Sequence, residues 1–544
     1  MNILNRCATA LSLLTVVLLP TTSLANKTAD PKINITFPTS RATLSNVVTI
    51  EGTASDRLEI TSIVLSIDGR SYNISAGPGI WTYSWNTKNF ANGLHTLSAQ
   101  VIDSAGDWAN SSMILVSVDN PLSAPIQPEF FGLDVNNTTI AWPSAAGVPF
   151  GSVRLWDSGT RWNQIETSKG QYTWTALDAM VSAANQNGQT VLYTFGGDPT
   201  FYSSNPTDTN CAELTNGDGP CDAPADVNSN GSGTDADFQG FVTALMQHLQ
   251  QAGETIQYFE IWNEANNYQA FWNGTAAQLV RMAADARTII KSYDPSALVL
   301  TPSTCGCNNT HFTAGAHPTS NPQDAMSYYL NTSVKLPSGK VVRGASVADG
   351  IAFHLYLGNP NPEGIVNLIT NMQAVMAADG LSNLPLINSE SSWGLNTNIT
   401  NCPASPPFAQ TCLNNMTAFL PRSYILAASN GLTRFYWYQW GNNSWGTLYD
   451  TSDRGIYQAA EAYAVVEEWL LGSSFEGACQ QSDTVYTCNL VSASGVTEEI
   501  VWNTAGSATF NTSPYTQCAT VTGSGCTVEN GAVTIGKQPI LLTP

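Results

Sequence analysis

The sequence predicts a multidomain fold in which a small β-sandwich, a (β/α)8 barrel and a C-terminal all-β domain follow one another. Three observations carry that expectation. Between Lys32 and Val118 short alternating apolar runs recur with turn residues between them, which is the rhythm of a sandwich. From Phe130 to Gly472 eight short apolar runs alternate with segments of helical periodicity, as repeated βα units do. After Gly472 the helical pattern stops and short β runs return to Pro544.

Residues 1–25 read as a secretion signal. Arg6 precedes an apolar stretch from Ala8 to Leu19, and Ser23-Leu24-Ala25 has the small-x-small pattern of a cleavage site. The apolar run is too short to span a bilayer, and no later window is long enough either. A secreted protein, extracellular or periplasmic, is therefore expected. Of the 11 cysteines, Cys7 lies in the signal. The rest fall into the close couples Cys211/Cys221, Cys305/Cys307, Cys402/Cys412, Cys479/Cys488 and Cys518/Cys526, which suit local disulfides better than a zinc site.

With 544 residues the chain is long enough for several domains, and 43% hydrophobic residues can fill a large core. Charged residues make up only 11%, against about 25% in ordinary globular proteins. The 41 acidic and 20 basic residues leave a net charge of -21, which repels phosphate backbones and anionic lipid alike. Neither nucleic acid nor a membrane is an expected partner. Nothing in the sequence fixes an oligomeric state.

The sandwich is expected over residues 31–119. Its segments "VVTIEGTASD", "VLSIDG", "YSWNT" and "NGLHTLSAQVIDSAGDWANSS" resemble bacterial immunoglobulin-like modules that accompany secreted carbohydrate-active enzymes. A linker over residues 120–129 follows, stiffened by Pro121, Pro125 and Pro128. The barrel is expected over residues 130–472, with strands at "FFGLDV", "SVRLWD", "TVLYTFG", "YFEIWNE", "ALVLTPS", "IAFHLY", "PLINSE" and "TRFYWYQW". Between them lie amphipathic helices such as Leu177/Val181/Ala184 ending at Gly188 and Phe241/Leu245/Leu249 ending at Gly253. The all-β domain is expected over residues 473–544, packed on the barrel or covering a sheet edge.

No nucleophile elbow, phosphate loop or metal-binding helix motif is present, so the chemistry falls to carboxylates. Glu264 closes the fourth strand and Glu390 the seventh, and in a barrel the C-terminal strand ends form the active face. Side chains alternate along a strand, so Glu260, Trp262 and Glu264 are expected on one face, and likewise Leu386, Asn388 and Glu390. Two carboxyls facing each other across a substrate suit glycosidic cleavage: one protonates the leaving oxygen while the other attacks or activates water. That chemistry calls for no cofactor and no metal.

"IWNE" ending strand four, with a Glu ending strand seven, resembles the clan A glycoside hydrolases, retaining enzymes on a (β/α)8 barrel. "RWNQIETSKGQYTWTALDAMVSAANQNGQTVLYTFGGDPTF" and "YFEIWNEAN" are most similar to family 39 of that clan. The resemblance implies that Glu264 is the acid/base, Glu390 the nucleophile and Asn263 the partner of a substrate 2-hydroxyl. It further implies that Arg154 hydrogen-bonds the nucleophile, and that His354 and Tyr356 stand beside the two glutamates, with Tyr356 in reach of Glu390. In that arrangement Glu390 should have a depressed pKa and Glu264 a raised one, with their carboxyls about 5 to 5.5 Å apart.

Flat aromatics suit the apolar faces of sugars. Trp440 is the preferred platform, with Trp437 and Trp393 at neighbouring strand ends and Trp156 and Trp272 behind them. An insertion after strand three, residues 202–237, is expected beside the cleft, and "DVNSNGSGTDAD" within it partly matches a calcium loop, the alternative being a polar turn that caps the next helix. The expected function is a secreted β-glycoside hydrolase acting on a polysaccharide, endo-acting ahead of exo-acting and β-xylosidase-like. An inactive carbohydrate-binding or adhesion protein is the alternative from a different class.

Overall fold

The computed structural model describes residues 30–544 except 88–89, 91, 212–213, 215–218, 307–320, 358–360, 394–401, 404–406, 443–445 and 454. The expected signal lies outside the described residues. The described residues divide into two compact units, one of residues 30–85 with 94–117 and the other of residues 86–93 with 118–544.

In the first unit, strands Lys32–Phe37, Val47–Ser55 and Gly79–Asn86 form one sheet. The other sheet is built around Ile60–Ile67 and Gly93–Asp103. Alternation decides which side chains are buried: Ile63, Leu65 and Ile67 point inward from one strand, and Leu97, Ala99 and Val101 from its neighbour. These meet Ile50, Trp81 and Trp85 in a sandwich core.

The second unit is built on the expected barrel. Its strands are β1 (Phe131–Val135), β2 (Ser152–Leu155), β3 (Thr190–Thr194), β4 (Tyr258–Glu260), β5 (Leu298–Leu300), β6 (Ile351–His354), β7 (Leu386–Ser391) and β8 (Arg434–Trp440). They form one parallel 8-stranded sheet in the order β5-β4-β3-β2-β1-β8-β7-β6. A parallel bridge from Leu300 to Gly350 and the bond from Thr301 N to Gly350 O join its two ends.

Helices follow every strand but the first, beginning with α1 (Thr175–Gln186), α2 (Ala236–Ala252) and α3 (Ala276–Tyr293). Between β1 and β2 the chain makes only a 3-10 turn at Ser144–Ala146, so the expected eight βα units are eight strands with one connection lacking its helix. The barrel interior is filled by Leu192, Leu300, Ala352, Ile387 and Tyr436. Gly132 is required there, because a Cβ on it would come 2.5 Å from the Tyr436 ring.

The C-terminal strands form a 6-stranded sheet and a 2-stranded one. They pack on the barrel as expected. Trp502 donates from Nε1 to Glu363 Oε1 at 3.0 Å, and Arg422 reaches the same oxygen at 2.6 Å. Disulfides join Cys211–Cys221, Cys402–Cys412, Cys479–Cys488 and Cys518–Cys526, while Cys307 of the remaining expected couple lies outside the described residues. Among the described residues no helix is long and apolar enough to cross a membrane.

Candidate active site

The site is organised by a guanidinium at the centre of the barrel. Arg154, on β2, is fully buried and donates from Nη1 to Glu390 Oε2 at 2.7 Å and to Asp134 Oδ1 at 3.3 Å. Its Nη2 reaches Glu260 Oε2 at 2.9 Å and Asn263 Oδ1 at 2.6 Å, and its Nε also bonds Glu260. Asn263 must therefore turn its oxygen to Arg154, which can only donate, and its amide nitrogen is the group left to meet a ligand.

Glu390 and Glu264 come together at the barrel mouth. One carboxyl oxygen of each and a ring nitrogen of His354 all lie within 4.8 Å of one another. Tyr356 donates to Glu390 Oε1 at 2.6 Å, so both oxygens of Glu390 are held. His354 Nδ1 lies 2.8 Å from Glu264 Oε1, and Asn267 Nδ2 donates to Glu264 Oε2 at 3.0 Å. His354 and Tyr356 share a face as alternation predicts.

Alternation fails for the glutamates themselves. Regular pairing of β4 ends at Glu260, after which Trp262 turns outward to pack on Trp272 while Asn263 and Glu264 turn toward the site. Glu264 takes a φ of 40°, a left-handed conformation uncommon for a residue with a Cβ and typical of functional positions. On β7, Ile387 and Ser389 face the interior, where Ser389 bonds Glu260 at 2.7 Å. Leu386 faces the outer core instead. A register shift in the pairing of β6 with β7 then brings Glu390 to the interior side as well.

The electrostatics also depart from expectation. At Glu390 burial pushes the carboxyl up, the charge of Glu264 adds to this, and His354, Arg154 and Tyr356 offset it only in part, so it sits above the usual range. At Glu264 burial acts the same way, but the His354 and Asn267 contacts outweigh it and hold the carboxyl below the usual range. The resemblance implies that Arg154 faces Glu390. It does not show that Glu260 and Asp134 share the same single positive charge, leaving less of it for Glu390. Glu260, held by Arg154, Thr194 and Ser389, keeps a low pKa despite complete burial.

The tryptophans are core residues. Trp440 is fully buried, donates to Ala141 O at 2.8 Å and packs on Tyr449, because a register shift between β1 and β8 turns it outward. It presents no face to a sugar. Trp393, 5% exposed, packs beside Cys412, Leu413 and Met416, and Trp437 donates to Gly446 O. Trp272 is buried against Trp262, and Trp156 lies against the Cys211–Cys221 disulfide. That disulfide packs with Trp156 and Phe271, which puts this part of the insertion beside the strand ends.

The residues of the calcium pattern include the cap of the next helix. Asp226 Oδ2 accepts from Thr234 Oγ1 at 2.7 Å and from Ala236 N at 2.5 Å, and so caps α2 in place of Asp235 or Asp237. Asp134 and Glu260 were not singled out from the sequence as partners of Arg154. A signal existed: barrel strands are buried on both faces, so a charge in "FFGLDV" or "YFEIW" needs a partner.

Residues 31–99 match the family model described as a bacterial Ig domain. The sandwich is Ig-like. No curated protein matches the chain. Among solved structures, the chain is similar to a glycoside hydrolase family 30 subfamily 8 xylanase from Clostridium acetobutylicum, at 14% identity over 77% of this chain and 97% of that one, with a TM-score of 0.47. A glucosidase from Croceicoccus marinus overlaps at 13% identity over 78% and 97%, with a TM-score of 0.48. An intracellular xylanase from Thermoanaerobacterium saccharolyticum overlaps at 14% identity over 63% and 98%, with a TM-score of 0.41. The chemistry rests on the residues of the site.

Proposed function

We propose that this chain is a secreted, retaining β-glycoside hydrolase similar to family 39, with Glu390 as nucleophile and Glu264 as acid/base. The observation that carries the reading is the approach of the two carboxyls to within 4.8 Å at the barrel mouth. An inverting enzyme keeps its carboxyls roughly 6.5 to 9.5 Å apart to admit a water, and a retaining one about 5 to 5.5 Å.

The neighbours divide the roles. Glu390 is fixed through both oxygens by Arg154 and Tyr356, as a group that must meet one carbon atom should be. In the first step Glu390 bonds the anomeric carbon while the glycosidic C–O bond breaks and the Glu264 proton passes to the leaving oxygen. In the second step Glu264 takes a proton from water, whose oxygen displaces Glu390 from that carbon. The Asn263 amide nitrogen donates to the sugar 2-hydroxyl.

The two carboxyls titrate as a pair that shares one proton in the active form, and the share on each is constant between the two apparent pKa values. A leaving oxygen beside Glu264 can accept a hydrogen bond only from its protonated form, so substrate draws the proton there. Tyr356→Phe removes a donor from the Glu390 carboxylate, and the proton affinity of Glu390 rises. The alkaline limb of the kcat/KM profile should then move to higher pH, by on the order of one unit, the acid limb should move little because Glu264 holds its proton more weakly, and the plateau should fall. An alkaline limb that stays in place in the variant would show that Tyr356 does not act on Glu390.

Proton NMR of the first-formed product of an aryl β-glycoside tests the mechanism. The β-anomer is expected, and net inversion overturns the assignment of Glu390. We further propose endo attack on a polysaccharide, which releases a ladder of oligosaccharides. Release of single sugars from chain ends would instead mark an exo-acting, β-xylosidase-like enzyme.

A further inference from the structure

Arg161 is a buried cation at the barrel mouth that the mechanism does not use. It is 7% exposed, yet among the described residues its guanidinium makes no hydrogen bond and no ion pair, and its Nε is buried without a partner. The Trp156 ring lies 5.3 Å from the guanidinium carbon. A buried guanidinium has five donors to satisfy, and an indole face satisfies none of them as a hydrogen bond would.

The surroundings fix where those donors lie. The chain at Arg161 is tied to the end of β3 through Trp162 N to Gly196 O at 3.0 Å and Asn163 N to Gly197 O at 2.9 Å. Trp156 lies over Gly196, where a Cβ would come 2.5 Å from the indole. Next along the chain is Asp157, exposed, whose Oδ2 accepts from Tyr438 Oη at 2.7 Å. Tyr438 follows the inward-facing Tyr436 on β8 by two residues, and the charge of Glu390 acts on it. Arg161 feels the charges of Asp157 and Tyr438 without pairing with either. A strong acceptor and a set of strong donors thus stand near enough to act on each other, with no hydrogen bond between them.

We propose that Arg161, Asp157 and Tyr438 form a hydroxyl-binding corner of the cleft that recognises a neutral glycosyl unit through two adjacent hydroxyls. This deepens the glycosidase reading and rests on it. One hydroxyl donates to Asp157 while accepting from Arg161, and the other takes a further Arg161 donor. A neutral sugar suits the corner because an anionic one would meet Asp157, Glu390 and Asp134 there, and Arg154, the other cation at the barrel centre, is already occupied by carboxylates.

The test uses the full chain and non-hydrolysable phenyl 1-thio-β-glycosides of glucose, xylose, galactose and glucuronic acid, titrated by tryptophan fluorescence. At least one neutral thioglycoside should bind, and the glucuronide should bind no tighter. Asp157→Ala and Arg161→Met should each weaken that binding by about 10- to 100-fold. Removing the contacted hydroxyl from the ligand should weaken the wild type and leave the variants little changed. Asp157 is exposed, so its variant carries the test even if Arg161→Met folds poorly. Failure of every neutral ligand to bind, unchanged affinity in Asp157→Ala, or preferential glucuronide binding lost in Arg161→Met would each overturn the corner. Turnover of the matching O-glycosides is measured alongside: binding without turnover sinks the glycosidase reading and leaves the corner standing.

Discussion

Glu390→Ala should lower turnover of an aryl β-glycoside by on the order of 10^4-fold or more, because it removes the group that forms the covalent intermediate and no neighbour can replace it. Arg154 and Tyr356, which hold its oxygens, are donors at working pH: burial and the Glu390 charge push the Tyr356 phenol well up. Azide is small enough to enter the space left by the side chain. It would attack from the face Glu390 occupied, and Glu264 would still protonate the leaving group, so an α-glycosyl azide is expected.

Glu264→Ala should behave differently. Its loss costs roughly 10^2- to 10^4-fold when the leaving group needs a proton, and little when the leaving group is a good one such as dinitrophenolate. The glycosyl enzyme then accumulates, since no base activates water, and azide resolves it to the β-glycosyl azide. Reversed stereochemistry in the two rescues would exchange the roles. Absence of any rescue together with unchanged turnover would remove both residues from the chemistry.

What the sequence disclosed followed from its periodicities. Short apolar runs located all the barrel strands, and the glycines at 188 and 253 ended α1 and α2 where expected, each in the left-handed conformation. The candidate residues Glu264 and Glu390 were legible because they close strands four and seven, and in a parallel barrel all strand ends open on one face, whereas Arg154, Asn263, His354 and Tyr356 were candidates through the resemblance. What stayed hidden depends on deviations from the period. The register shift before Glu390, the end of regular pairing after Glu260 and the shift that turns Trp440 outward each exchange the faces of the residues that follow. No composition rule announces them. The sharing of one cation by three carboxylates is likewise a property of four strands at once, and so is the reversed order of the two glutamate pKa values, set chiefly by burial at Glu390 and by the His354 and Asn267 contacts at Glu264.

That shared cation sets the second large effect. Arg154→Met should lower stability by about 3 to 5 kcal/mol, since it strands Glu260 and its neighbours in the barrel interior without a counter-charge. Burial holds Asp134 well above the ordinary carboxyl range, and loss of Arg154 raises it further. Glu260 is the costly one. In the native chain its pKa is lowered, so it contributes stability above the unfolded-state value, about 4.3, and that contribution is lost as pH falls through the folded-state value. Without Arg154 burial dominates, the folded-state pKa rises above 4.3, and the sign reverses: the variant loses stability as pH rises. The difference in Tm between wild type and variant should therefore be several degrees at pH 7, begin to narrow below about 4.3, and close only once the pH falls below the lowered folded-state pKa of the wild type, where the carboxyl is protonated in every state. Arg154→Lys should recover only part of it, because one ammonium cannot span Glu260, Glu390 and Asn263 together. A Tm difference that does not change with pH would mean that the loss comes from packing, and that Glu260 is not held ionised by Arg154.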